Sequence, residues 1–549
     1  MELVSQHIKK IMEGCKERAL AAGLKFDKET LEYIVTNTDM LELTPKNMIP
    51  TLYDYWLQDI QVLRGKGEYE YFPHNPYETV INTRPAISFY NDNNPDWLNV
   101  MIFYHVLAHI DFFQNNKFYQ KTWDFDFKQK ALTEKRMIEK LRSQKGRDVD
   151  YVIEFTRGID NLIGYFDNLQ KSDDFESLKL PDKIDYYFNT FLQSVKNVGM
   201  KTFLEEVERY DNFNEPDPVK LEIAFLNKVS QLNPEFEELY RKYFLEIKEK
   251  KPDDLLQFIM DESSFLNAPE NEWMKTVMEI VRDTALYFAP QIRTKTMNEG
   301  WASYWHEKLF LTDDRIKGHE IAFSVINAKV TAISRVGLNP YAIGWRLFQF
   351  IEENAEKGKF SFEFDRIKGI QERKDFKRST GNGMDFIFYV RENFCDYTFL
   401  NRFIVQDFID KNKLMVIGQR INQNKNTVEY YIKSRKAEDY KKMIVDTLYH
   451  PPKIKYSIRG SNILLLDHVF EGKELYRNYI TNTLIGLEYL WGDTIELETT
   501  ELDLEEMNKK ATHGFFSNRD VKENMEPVYT RVLYEAKYKK VNKQKLSQE

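Results

Sequence analysis

Residues 293–306 read RTKTMNEGWASYWH and set Glu299 and His306 seven residues apart. Seven residues are two turns of an α-helix, so a helical reading stacks a carboxylate and an imidazole on one face. Upstream, YHVLAHIDFFQNN at 104–116 sets His105 and His109 one turn apart, the spacing at which two imidazoles grip one metal ion. Three of the nine histidines therefore fall in two short helical segments. Helical periodicity recurs at 127–144, 150–166, 269–288 and 338–356, which makes residues 1–410 a mainly helical domain.

The helical pattern breaks at 66–95, where Pro73, Pro76, Pro85 and Pro95 forbid a continuous helix; an ordered loop packed on the domain is expected. His74 and Arg84 lie in this loop, as pocket lining or as part of its packing. A second breaker-rich stretch, RSTGNGMDFIF at 378–388, leads to a last helix near 398–411. The texture then changes. KLMVIGQRI at 413–421 and TVEYYIKSR at 427–435 read as a hairpin, followed by a helix at 437–449 and strands at 453–460 and 462–470. A helix at 473–490 and the alternating TIELET at 494–499 complete a small domain over 411–502. Residues 503–549 are polar and read as a partly disordered tail. The expected fold class is α+β: a large mainly α-helical N-terminal domain followed by a small α+β domain.

The chain has 549 residues, 42% of them hydrophobic and 14% aromatic, ample for a large core. Its 78 Lys and Arg against 87 Asp and Glu leave a net charge of −9, without the global positive field that nucleic acid selects. Cys15 and Cys395 are the only cysteines, too few for a disulfide framework or an all-cysteine metal site, and both read as reduced thiols. No stretch approaches the roughly 20 apolar residues of a membrane span. The N-terminus lacks the apolar core and cleavage site of a secretory signal, so a cytoplasmic location is expected. The Gly-containing GKGEY at 65–69 and STGNGMD at 379–385 lack the strand-to-helix setting of a phosphate cradle, which removes nucleotide binding.

Zinc peptidases with a second-helix glutamate take two imidazoles and a base from His-Glu-x-x-His, and a third ligand from a later Asn-Glu-Gly helix. Here Asn298-Glu299-Gly300 fits the second element, while His105-Val106-Leu107-Ala108-His109 fits the first except at the base, where Val106 stands. The expected metal ligands are His105, His109 and Glu299, with zinc as the divalent ion. His306 is the expected catalytic group that moves protons, or else a fourth ligand. Asp111, two residues past His109, faces about 200° away from the imidazole pair and suits a capping or structural contact. The competing reading makes the histidines satisfied core residues. Glu154, Arg157, Asp160 and Asn161 are either an ion-pair network, the favoured version, or groups that orient the histidines. Trp301, Tyr304 and Trp305 read as core.

HVLAHIDFFQNN at 105–116, RDVDYVIEFTRGIDNLIGYF at 147–166, YFAPQIRTKTMNEGWASYWHEKLF at 287–310 and GLNPYAIGWRLF at 337–348 resemble, in order, blocks of the stage V sporulation protein R (SpoVR) family. LIGLEYLWGDTIELET at 484–499 extends the resemblance, which runs from about residue 30 to 500. It implies a cytoplasmic bacterial protein tied to spore cortex or envelope formation, with relatives in non-sporulating bacteria and a serine-kinase-like AAA+ partner. The family usually carries histidines in a Tyr-Ala-x-x-His block after the Asn-Glu-Gly helix, whereas IAFSVINAKVTAISR at 321–335 has none. Two functions follow: a metal-dependent, hydrolase-like protein without the usual glutamate, or a non-catalytic cytoplasmic adaptor or regulatory scaffold in sporulation or stress response.

Overall fold

Every side chain from Leu98 to Phe113 is buried, which makes the 20-residue helix Asp96–Asn115 a central rather than a surface element. The structure is a computed structural model. It describes all residues except 1, 4, 37–77, 123–126, 164–181, 197, 199–201, 203–204, 207–208, 211–212, 214–217, 242–253, 334–338, 361–363, 365–369, 378–380, 423–426, 449, 461, 504–527 and 547–549. The chain divides into two compact units, Met1–Ile163 with Ile259–Glu549, and Gly164–Phe258. Among the described residues no helix is long and apolar enough to cross a membrane.

The first unit opens with β1 (Glu2–Leu3), α1 (Gln6–Ala21), β2 (Thr30–Val35), β3 (Glu78–Ile81), β4 (Ala86–Asn91) and α2 (Asp96–Asn115). The four strands form one sheet in the order β1-β2-β4-β3, with β2 and β4 parallel and β3 antiparallel to β4. The stretch expected to be an ordered loop thus contains two strands. Pro85 falls in the turn between them, and the β-branched and aromatic residues of ETVI and AISFYN favour pairing. Pro73, Pro76 and His74 lie outside the described residues. Helix α2 packs on β3 and β4, so the histidine helix is backed by a sheet.

The second half of the site comes from α3 (Glu272–Arg293), α4 (Lys295–Phe310), α5 (Glu320–Val330), α6 (Pro340–Glu356) and α7 (Gly383–Asn393). The expected helix at 150–166 ends earlier, at Arg157, where Gly158 caps it. The N-cap residue of α4, Thr294, supplies no side-chain bond; Asp396 does so from a distance, accepting the Thr296 and Met297 N–H groups at 2.8 Å each. Helix α6 starts with Pro340 after Asn339, whose side chain accepts the Tyr341 and Ala342 N–H groups at 3.1 and 3.4 Å. Helices α4 and α6 touch at Gly300 and Gly344, where a Cβ on either would run into backbone of the opposite helix. The glycine of Asn-Glu-Gly therefore serves close helix packing, next to the residue that carries the carboxylate.

The expected last helix near 398–411 is two helices, Asp396–Phe403 and Gln406–Asn412. Beyond them β5 (Val416–Asn422) and β6 (Thr427–Ser434) form the expected hairpin. Then follow β7 (Lys453–Arg459), β8 (Ile463–Val469), α8 (Arg477–Trp491) and β9 (Ile495–Leu502), with β8 and β9 parallel. The stretch read as a partly disordered tail contains two strands. Strands β10 (Tyr529–Lys537) and β11 (Lys540–Lys545) extend a five-stranded sheet in the order β11-β10-β9-β8-β7. Its charges are matched across strands, Arg531 to Asp467 at 2.6 Å and Lys543 to Glu501 at 2.6 Å, while Val532, Leu533 and Ala536 are buried. Composition counts those charges as solvated; pairing on β9 gives them partners.

The second unit, Gly164–Phe258, has its own aromatic cluster. Tyr187, Phe188 and Phe191 come from a widely wound helical stretch, Tyr186–Val195, and pack with Phe225 and Val229 of the helix Pro218–Leu232 and with Phe236.

Candidate metal centre

Helix α2 presents His105 and His109 with ring centroids 4.6 Å apart. Helix α4 presents Glu299, whose Oε2 lies 3.8 Å from His105 Nε2 and 3.5 Å from His109 Nε2. One ligand atom from each of the three lies within 4.8 Å of the others. Donor atoms around a tetrahedral zinc ion stand about 3.3 Å apart at metal–ligand distances near 2.0 Å. The three expected ligands therefore converge to within small side-chain adjustments of that geometry.

The ring nitrogens that face away from Glu299 are committed. His109 Nδ1 donates to Asn298 Oδ1 at 2.8 Å, which leaves the Nε2 lone pair directed at the carboxylate. His306 Nε2 donates to Asn327 Oδ1 at 2.9 Å, so its Nδ1 accepts from His105 Nδ1, also at 2.9 Å. In the neutral form of His105 this leaves Nε2 as an acceptor as well. Two asparagines and one histidine set two tautomers for ligation. Asn327 belongs to α5, inside the 321–335 stretch that lacks the family's histidines. His306 is 1% exposed, has both nitrogens engaged and does not line the adjoining cavity. His306 thus stands behind His105, hydrogen-bonded at both ring nitrogens, and outside the His–His–Glu cluster.

Electrostatics separate the two imidazoles of α2. Burial, with the His105 charge beside it, lowers His109 to about 4, and burial likewise lowers His306 to about 3, so both rings are neutral near pH 7. Burial also opposes charge on His105, but Glu299 and Glu78 outweigh it and raise its pKa. Burial pushes Glu299 upward, and the His105 and His109 rings together with the Tyr341 hydroxyl overcome it and hold the carboxyl low. Glu299 is partly buried, and its Oε2, an atom shut off from solvent, has no hydrogen-bond partner. A carboxylate oxygen in that state suits a cation, and a donor set of two imidazoles and one carboxylate suits zinc.

A cavity of about 240 Å³ adjoins the cluster, lined among others by Glu78, Asn82, Tyr119, Gln291, Asn298 and Tyr341. Glu78, the first residue of β3, brings Oε1 to 4.0 Å from His105 Nε2. Sequence reasoning missed it, because a glutamate at the start of a strand has no periodic relation to either helix. Arg84 donates to Asn82 Oδ1 at 2.9 Å and so orients one cavity group without lining the cavity itself.

The other singled-out residues have structural surroundings. Asp111 accepts the Lys25 backbone N–H at 2.7 Å and Trp301 Nε1–H at 2.9 Å, tying α2 to α4 and to the segment after α1. Glu154 and Arg157 form a largely exposed pair at 3.8 Å, and Asp160 faces Arg157 and Arg293; none belongs to the His–His–Glu cluster or lines its cavity. Trp301 and Trp305 are core residues, and Cys15 and Cys395 are buried free thiols.

The family model described as SpoVR like protein matches residues 2–451, and the chain belongs to that family. Over 393 residues it is 21% identical to "Uncharacterized protein YcgB" of Escherichia coli (strain K12), a match that covers 68% of this chain and 67% of that protein. No solved structure matches the chain.

Proposed function

We propose that the chain is a metal-dependent, hydrolase-like protein that holds a divalent ion, zinc in the first instance, on His105, His109 and Glu299. The observation that carries this reading is Glu299 Oε2, buried without a hydrogen-bond partner and facing the Nε2 atoms of two imidazoles at 3.8 and 3.5 Å. When bound, zinc acidifies water and polarises carbonyl or phosphoryl oxygens. The chain's own groups do the rest. Asn298 and the His306–Asn327 pair hold the two imidazoles in their ligating tautomers. The amides of Asn82, Gln291 and Asn298 and the hydroxyls of Tyr119 and Tyr341 offer hydrogen bonds to a polar substrate in the cavity.

The place of this chemistry in spore cortex or envelope formation, in the cytoplasm and beside a serine-kinase-like AAA+ partner, rests on family membership. Val106, buried on α2 where peptidases carry their base, favours a second reading as a non-catalytic adaptor or scaffold. Metal analysis of full-length protein purified without chelators tests the first reading. About one divalent ion per chain is expected, with loss on combined His105→Ala and His109→Ala substitution. Traces of metal that the double variant retains overturn it. A folded Glu299→Ala protein with full biological function selects the adaptor.

A further inference from the structure

We infer that Glu78 is a fourth protein ligand of the proposed ion, so that the site is a charge-neutral set of two histidines and two glutamates; the inference rests on the metal-site reading above. Glu78 and Glu299 approach the same atom, His105 Nε2, at 4.0 and 3.8 Å. They reach it from different parts of the fold, one from a strand of the N-terminal sheet and the other from α4. Because α2 packs directly on β3, the Glu78 end of the strand is held against the histidine helix. The register is set by antiparallel pairing of Glu78 with Tyr90, and Tyr90 is fully buried in β4.

Charge balance argues for ligation. Two partly buried carboxylates share one flank of the site, and each disfavours ionisation of the other. Among the described residues no hydrogen-bond donor stands against the Glu78 carboxylate, and its nearest ion-pair partner is His105. Two carboxylates against the one imidazole edge they share leave at least one negative charge unmatched, and a partly buried unmatched charge is costly. A divalent cation placed between them matches both: two negative charges and one dication sum to zero, and both histidines stay neutral. Glu78, Glu299 and His109 all line the same cavity, so a four-residue set still leaves the ion a face toward a small polar substrate. It also replaces the carboxylate missing at Val106 with one from outside the histidine helix. That second glutamate holds the ion, where the peptidase one takes a proton.

Cobalt(II) titration of the metal-free full-length protein tests this, read as visible d–d absorption and as affinity in competition with a chromophoric chelator. For the wild type, binding with a four- or five-coordinate spectrum is expected. Glu78→Gln, close to isosteric, is expected to weaken binding by at least the roughly 10–100-fold typical of lost supporting groups and to shift the d–d band. Glu78→Asp, which keeps the charge but shortens the arm, is expected to fall between and serves if the first variant does not fold, as judged by circular dichroism. Wild-type affinity with an unchanged band in a folded variant overturns the Glu78 assignment and leaves the three-ligand site standing. Failure of the wild type to bind cobalt overturns both.

Discussion

Tyr104 and His105 are adjacent on α2, yet each opens a different buried polar cluster. The Tyr104 hydroxyl donates to Asp313 Oδ2 at 2.7 Å, and the same carboxylate accepts the Arg315 backbone N–H at 3.0 Å and its Nε–H at 2.9 Å. Arg315 reaches on to the Ile11 carbonyl at 3.0 Å and Cys15 Sγ at 3.2 Å. Each charged group there has its partner. One residue along, His105 faces Glu299, which keeps a buried oxygen unmatched beside a cavity of about 240 Å³. A closed cluster holds elements together; an open one stores binding capacity, because an unmet acceptor in low dielectric gains most from a cation. Each cluster sets a charged group against buried partners, and hydrogen-bond completeness separates them.

The most severe way to break the contrast is to open the closed cluster. Asp313→Ala leaves the buried Tyr104 hydroxyl without its acceptor and removes the carboxylate from the solvent-accessible Arg315, and is expected to cost about 3 kcal/mol in urea unfolding. Glu299→Gln in metal-free protein is expected to cost no more than about 1 kcal/mol, since its buried Oε2 makes no hydrogen bond that the change could break. Equal losses in the two variants would erase the distinction.

Next in size is Gly300→Ala, which drives a Cβ into the Gly344 backbone and spreads α4 from α6. A loss of about 2 kcal/mol is expected, together with weaker metal binding, because Glu299 and Tyr341 sit on those two helices. Unchanged metal affinity would show that the site does not depend on this contact. Asn298→Ala frees His109 to rotate and change tautomer. It is expected to lower metal affinity about 10–100-fold with little change in thermal midpoint.

Acid sharpens the comparison further. Burial raises the Asp313 carboxyl, but hydrogen bonds from Arg315 and Tyr104 overcome it and hold the pKa at about 2, below the ordinary 3.8. The folded state therefore releases this proton more readily than the unfolded chain. The resulting stability is present above about pH 4 and is lost as pH falls toward 2. Asp313→Asn is expected to flatten that acid limb in urea midpoints taken between pH 5 and 2.5. The smallest effect belongs to Glu154→Ala, whose largely exposed pair with Arg157 is expected to contribute no more than about 0.5 kcal/mol.

Helices were the most legible part of the fold, because 3.6-residue periodicity is local and survives whatever the helix packs against. The starts at Glu272 and Pro340 fall within two to three residues of the expected 269 and 338. Strands β3 and β4 were hidden by the prolines around them, and β10 and β11 by their charges. In both cases the deciding partner is another strand: β4 pairs with the distant β2, and β10 lies on β9. The three metal-ligand candidates were legible for the same reason as the helices, since an i,i+4 histidine pair and an Asn-Glu-Gly turn are short-range patterns. Spacing could place His306 on the face of Glu299, but not beside His105 with both nitrogens engaged.

By itself, then, the amino-acid sequence determined which residues of one helix share a face, and with that the pairings His105 with His109 and Glu299 with His306. Only the tertiary structure decided what those faces meet. His105 reaches His306 across 201 residues of sequence, and His109 reaches Asn298 across 189. Glu78 joins from a strand whose position depends on the sheet beneath α2. Helical spacing follows from backbone geometry within a few residues, whereas convergence on one ion requires distant segments to pack at defined distances, and no local pattern encodes that.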